Sequence, residues 1–264
     1  MTYIDPTDNE ERKKIGIGTL ERYTGSKAED FQKCVLLTNF DLYLDAFRIS
    51  TGAQIYQGSA MQSAHFQEDR VTMIEYGVGS PTAALIVDML RFIEPNAVIM
   101  LGLCGGLRDY HEIGDYFLPT AAIRGEGTSD HYMPPQVPSL PNFVAQRFIA
   151  HELEAREINY HTGVIHSTNY RFWEFDKAFR DRLITERVQT IDMECATLFT
   201  VGYSRQVPVG ALMLISDKPL MKGGVKTPEM ARKIFQEHAI EHVRIGIEVF
   251  KRMGKQKARE RFTW

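Results

Sequence analysis

The sequence predicts an α/β protein, one large domain with a buried β-sheet flanked by helices. Continuous apolar runs at Cys34–Leu37, Ala97–Leu101 and Ala211–Ile215 are the first sign of this. Such runs are the mark of strands buried on both faces, as in a parallel sheet. Each run stops abruptly in polar or glycine-containing residues, and stretches of helical periodicity lie between them. The chain has 264 residues, of which 44% are apolar and 25% charged, which suits a single large domain with a sizeable core. No internal repeat or low-complexity linker marks a boundary within it.

Composition also excludes several classes. No apolar run approaches the roughly 18 residues of a membrane span. The first residues, MTYIDPTDNEERKK, are polar and carry no hydrophobic signal core, so the expected compartment is the cytoplasm. Cys34, Cys104 and Cys195 are too few and too scattered for a disulfide framework or a zinc site. A net charge of −3 gives no general attraction to nucleic acid or to a membrane, so an anionic ligand requires a local cationic cluster.

In chain order, residues 1–30 are charged and weakly patterned. They predict an N-terminal arm with one helix near Asn9–Tyr23, able to pack on a partner subunit. From residue 31 the domain proper begins with the strand Cys34–Leu37, then Thr38-Asn39-Phe40-Asp41 and an amphipathic helix through Phe47. Two strands are expected within Ala53–Phe66 and Arg70–Tyr76. Gly77-Val78-Gly79-Ser80-Pro81 follows, leading into a helix over Thr82–Ile93 that Ser80 can cap and Pro81 can open. The third glycine of a dinucleotide fingerprint is replaced by Thr82, and no acidic residue ends the next strand to grip a ribose. The strand Ala97–Leu101 runs into the turn Gly102-Leu103-Cys104-Gly105-Gly106. That turn mimics a nucleophile elbow, but a strand over Tyr116–Ile123 comes next where an elbow needs a helix, so Cys104 reads as structural.

The polar cluster Arg124–Tyr132 follows that strand. Arg124 with the hydroxyls of Thr128 and Ser129 suits a phosphate, and an ordinary structural loop is the other reading. A helix near Asn142–Glu157, a strand near His161–Ser167 and a helix opened by Tyr170, Phe172, Trp173 and Phe175 come next. The aromatic set suits either core packing or a wall on which a base stacks. Thr190–Ala196 predicts a short strand passing into a helix. Glu194 stands at that helix start, where the macrodipole favours a carboxylate and where it could equally accept hydrogen bonds from two vicinal sugar hydroxyls. The strand Ala211–Ile215 then stops at Ser216-Asp217-Lys218-Pro219. Ligands sit at the carboxyl ends of strands in such sheets. Desolvation there raises the pKa of Asp217 and Lys218, Lys222 and Lys226 lower it, the tuning a general acid needs. Capping of the next turn is the plain alternative. An amphipathic helix from about Pro228 to Met253 and a basic tail close the chain.

GVGSP, GLCGGL, IDMECATL and LISDKP, in this order, resemble the nucleoside phosphorylase and nucleosidase superfamily from Cys34 to Phe250. RGEGTSDHYMPPQVPSLP, HSTNYRFWEFD, DMECATLFTVGY and SDKPLMKGGVKT resemble the catalytic domain of the AMP nucleosidases in particular. The resemblance implies a catalytic domain over 31–264, built on a mixed, partly barrel-like sheet flanked by helices. It implies hydrolysis of AMP to adenine and ribose 5-phosphate, with no metal or redox cofactor, and a homo-oligomer, with a hexamer as the form expected. By match of motif, Asp217, beside Ser216, gives a proton to N7 of adenine. Met193 and Glu194 line the ribose, and the glycine turn at Gly105 adjoins the site. The base lies in the segment after His166-Ser167, where Arg171 with Phe172 replaces the stacking phenylalanine of many relatives. Asp41 is the residue expected to polarise water, with Glu126 as competitor. A cationic set drawn from Arg124, Lys218, Lys222 and Lys226, helped by Thr128 and Ser129, is expected to hold the 5′-phosphate. Two other readings stand beside this one, an enzyme for an uncharged nucleoside and a non-catalytic nucleotide-binding protein.

Overall fold

The computed structural model describes residues 10–255. The first nine residues of the expected arm and the basic tail lie outside the described residues. The elements are α1 (Glu10–Thr24), β1 (Cys34–Thr38), α2 (Asp41–Thr51), β2 (Ile55–Gln57), β3 (Gln62–Phe66), β4 (Val71–Glu75), α3 (Ser80–Leu90) and β5 (Ala97–Gly106). There follow β6 (Tyr116–Gly125), α4 (Phe143–Ala155), β7 (Tyr160–Thr168), α5 (Lys177–Glu186), β8 (Thr190–Asp192), α6 (Cys195–Arg205), β9 (Val209–Asp217) and α7 (Pro228–Lys255).

The nine strands of the described residues form one mixed sheet in the order β2-β3-β4-β1-β5-β8-β7-β6-β9. A further pairing of β5 with β9 closes the last five into a ring, the barrel-like part. Its contacts are of mixed sense: β5 with β9, β6 with β7 and β7 with β8 run parallel, whereas β6 with β9 and β5 with β8 run antiparallel. β4, β1, β5 and β9 all point the same way. Every residue of β5 and β9 is buried, as their unbroken apolar runs require. One core packs α3 and α6 against one face of the sheet, and a second packs α2, α4 and α7 against the other. α1 docks through fully buried Leu20 beside α3 of its own chain.

Two elements differ from expectation: the aromatic segment after Tyr170 forms a 3-10 turn, Trp173–Phe175, ahead of α5 and does not open it, and the GLCGG segment takes another form. Gly102–Gly106 is not a turn: β5 continues through it, with a register shift between Cys104 and Gly105. Glycine in a strand marks a bulge or a close approach as often as a turn. Here a side chain at Gly105 would stand 3.1 Å from Pro219 and 3.2 Å from Ile191.

Candidate active site

Because β1, β5 and β9 run parallel, their carboxyl ends bring Asn39–Phe40, Cys104–Gly105 and Ser216–Asp217 to one side of the sheet. β8 crosses the end of β5, with Ile191 opposite Gly105, and delivers residues 192–194 to the same place. The result is a cavity of about 290 Å³ whose wall includes Asp192, Met193, Glu194, Ser216, Asp217 and Lys226. Asn39, Phe40, Leu103, Gly105, Tyr170, Arg171, Trp173 and Glu174 complete most of the remainder.

Glu194 is 2% exposed. The helix start is capped not by it but by Asp192, whose Oδ2 accepts from the amides of Cys195 (2.7 Å) and Glu194 (3.2 Å). Asp192 Oδ1 accepts from Ser167 Oγ at 2.5 Å. Glu194 Oε1 instead accepts the Gly79 amide at 2.7 Å, and the Asn39 side chain also bonds it. The GVGSP turn therefore spends its backbone donor on a protein carboxylate. Ser80 does not cap α3 as expected: its hydroxyl donates to the Met193 carbonyl at 2.5 Å, tying the turn to the 193–194 segment. Burial pushes the Glu194 carboxyl up to about 8, with the neighbouring Asp192 charge adding to it. Burial also raises Asp192, against the hydrogen bonds from Ser167, Cys195 and Glu194.

Asp217, 7% exposed, does not cap the following turn. Its Oδ1 accepts from Ser216 Oγ at 2.6 Å, and the turn closes through its own backbone, Lys218 N–H to the Gly224 carbonyl at 3.0 Å. Burial raises the Asp217 carboxyl above its ordinary range, against the Ser216 hydrogen bond and the Lys226 charge. Lys226, whose ammonium lies 5.4 Å from the centre of the Phe40 ring, is pushed down by burial.

Several expected residues lie elsewhere. Arg124 spends its guanidinium inside its own loop, on Ser129 Oγ, Asp130 Oδ1 and the carbonyls of Met133, Pro134 and Val137. Those are five bonds for five N–H groups, which leaves no donor for a phosphate. Thr128 and Ser129 belong to that stapled loop, off the cavity wall. Lys218 Nζ donates to the Asp109 carbonyl at 2.9 Å and lies 3.7 Å from Glu112, while Lys222 is exposed on the loop. Neither lines the cavity. His166 is fully buried, with Nδ1 2.7 Å from Glu186, and is also off the wall. Phe172 is 66% exposed, and Tyr170 and Trp173 take the wall positions instead. Asp41 is exposed at the start of α2, bonding the Leu42 amide at 2.8 Å, and Glu126 is buried beneath the Arg124 loop, bonding the Ser129 amide at 3.1 Å. Neither candidate for water polarisation reaches the cavity. Cys104 does line it, but burial holds its thiol well above the usual range, as a structural cysteine requires. Sequence reasoning missed Asn39, Asp192 and Glu174. Only Asp192, three residues before Cys195, carried a signal, the spacing of a helix cap.

A ring-closed mixed sheet with a buried carboxylate pocket at its strand ends defines the class. Residues 39–249 match the Phosphorylase superfamily, and the chain belongs to that family. It is similar to the AMP nucleosidase of Escherichia coli K12, 30% identical over 281 residues, covering 89% of this chain and 58% of that one. The chain thus spans a little over half the length of that relative. The crystal structure of AMP nucleosidase from Bacteroides thetaiotaomicron VPI-5482 superposes with a TM-score of 0.82 at 40% identity, covering 92% of this chain and 97% of that one. A uridine phosphorylase from Vibrio fischeri ES114 shares the fold, with a TM-score of 0.74 at 19% identity.

Proposed function

We propose that the cavity hydrolyses the N-glycosidic bond of AMP, releasing adenine and ribose 5-phosphate. The observation that carries this is a pair of buried carboxyls, Asp217 and Glu194, facing one small cavity with their pKa values raised. Breaking the C1′–N9 bond sends its electrons into the base and leaves an oxocarbenium-like sugar. Asp217, whose carboxyl burial raises towards the range of a general acid, gives its proton to N7 and makes the base a neutral leaving group. Glu194 accepts from the 2′- and 3′-hydroxyls, beside Met193, and its negative charge steadies the developing cation. Water adds its oxygen to C1′, and the proton it loses restores Asp217. Such a cation needs a water that is positioned more than one that is strongly activated, so the distance of Asp41 and Glu126 from the cavity is compatible with this step.

Water is favoured over phosphate as nucleophile because the wall carries two cations, one bonded to Glu174 and one proposed for the 5′-phosphate, which leaves none for a second dianion. Leu103 lines the same wall, Met100 is sealed in the core, and the two cations are Arg171 and Lys226. An uncompensated phosphate would be strongly disfavoured there. Lys226 is the lysine proposed for the 5′-phosphate. The identity to AMP nucleosidase sequences supports the same substrate, with a place in purine nucleotide turnover, in the cytoplasm, as a homo-oligomer. The test is to follow adenine release from AMP and from adenosine by chromatography. AMP should be preferred by at least about 10–10²-fold in kcat/KM, since each charge-assisted bond contributes about 1.5–3 kcal/mol. Equal efficiency on adenosine would favour the nucleoside-specific enzyme, and no release from either would favour a non-catalytic binding protein.

A further inference from the structure

Glu174 is a pocket residue that the reaction just described does not use. It sits in the short 3-10 turn Trp173–Phe175, which turns Trp173 and Glu174 inward and leaves Phe172 and Phe175 outside. The residue is 8% exposed. Its Oε1 accepts from Arg171 Nη1 at 3.1 Å, while Oε2 is sealed from solvent with no hydrogen-bond partner. An ion pair to a half-exposed arginine contributes little, and a buried carboxylate oxygen without a donor is costly. A structural role leaves that oxygen unexplained. A ligand donor would satisfy it.

We propose that Glu174 selects the base: its carboxylate accepts a hydrogen bond from the exocyclic 6-amino group of the purine and thereby rejects 6-oxo purines. The assignment rests on the reading that Asp217 protonates N7. N7 and the 6-substituent share one edge of a purine, where adenine shows an acceptor and a donor and a 6-oxo purine shows two acceptors. Glu174 lines the same cavity as Asp217 and lies close enough for its charge to act on that carboxyl. A group that serves N7 from Asp217 therefore brings the 6-substituent to the neighbouring carboxylate. An ionised carboxylate only accepts hydrogen bonds, so a 6-amino group completes it and a 6-oxo group repels it. Arg171 acts as a positioning residue, holding the other oxygen.

The experiment compares AMP with IMP, the 6-oxo nucleotide, on the wild type and on Glu174→Gln. Wild type should prefer AMP by about 10²-fold or more in kcat/KM, as sites that leave a buried polar group unpaired do. A glutamine amide can donate to O6, so Glu174→Gln should shrink that ratio by about tenfold or more and raise kcat/KM on IMP above the wild-type value. Damage to folding cannot raise it. Equal use of AMP and IMP by the wild type, or a parallel loss on both substrates in the variant, would overturn the assignment. Calorimetry of free adenine and hypoxanthine on the wild type reads the same preference without turnover and without a variant. Tighter adenine with no hydrolysis would sink the hydrolase reading alone. Equal binding of the two bases would sink this one.

Discussion

Asp217 and Glu194 are both carboxyls that the fold has moved towards neutrality, and the two are asked for opposite things. Asp217 must carry a proton to the base. Asp217→Asn keeps its shape and the Ser216 contact but has no acidic proton, so kcat on AMP should fall by roughly 10²–10⁴-fold. A near-normal rate would remove Asp217 from the mechanism. Glu194 must be ionised when the sugar is bound, yet in the ligand-free protein its carboxyl is pushed from 4.5 up to about 8. Between those values the folded protein keeps a proton that the unfolded chain has released, so stability falls as pH rises through that window. The stability of the ligand-free protein relative to Glu194→Gln should therefore drop from about pH 5 to about pH 8, a comparison that cancels the opposite slope from His65, His111 and His242, whose pKa values burial lowers. The same pH dependence in the variant would show that Glu194 is not the source of that drop. The places of these two on the cavity wall were legible because each sits where a buried strand meets polar residues. The cations were not. Whether an arginine is free for a ligand depends on tertiary acceptors, and all five partners of Arg124 come from folding of the loop it was expected to offer.

At the scale of elements, the GVGSP turn is a positioning device for Glu194. Gly79 stands at φ +106°, ψ 156°, a region that side chains rarely adopt, and from there its amide reaches Glu194. Gly79→Ala should cost about 1–3 kcal/mol in stability from backbone strain, although an added Cβ meets no close neighbour. It should also lower kcat/KM on AMP by loosening the Glu194 carboxylate. Denaturant melts and steady-state kinetics check the two effects, and unchanged kinetics in a destabilised variant would deny the turn its positioning role. Strand and helix positions were largely readable from periodicity. The GLCGG segment was misread because glycines that let β5 pass beside Pro219 and Ile191 look, in sequence, like a turn. Glu174 was hidden for a related reason. It lies within an aromatic cluster that reads as a helix start, and only the 3-10 turn separates its inward residues from its outward ones.

At the scale of the whole molecule, the pairing of β5 with β9 brings the site together. It places the end of one buried strand beside the end of another that lies more than a hundred residues later, Gly105 opposite Asp217. Periodicity cannot reveal such a closure, because an unbroken apolar run states that a strand is buried and not which strand it joins. The motif order was what implied the ring. The ring then defines a cavity with both Asp217 and Glu194 on its wall, the acid and the sugar-side carboxylate of the proposed reaction. Among the described residues its wall carries two cations, Arg171, which bonds Glu174, and Lys226, proposed for the 5′-phosphate, and that composition is the basis for reading the protein as a hydrolase and not a phosphorylase. The most direct measurement is the identity of the sugar released from AMP, in buffer free of inorganic phosphate and again with phosphate added. The account predicts ribose 5-phosphate as the product in both, at the same rate. Ribose 1,5-bisphosphate as the main product, or a rate that depends on added phosphate, would contradict it.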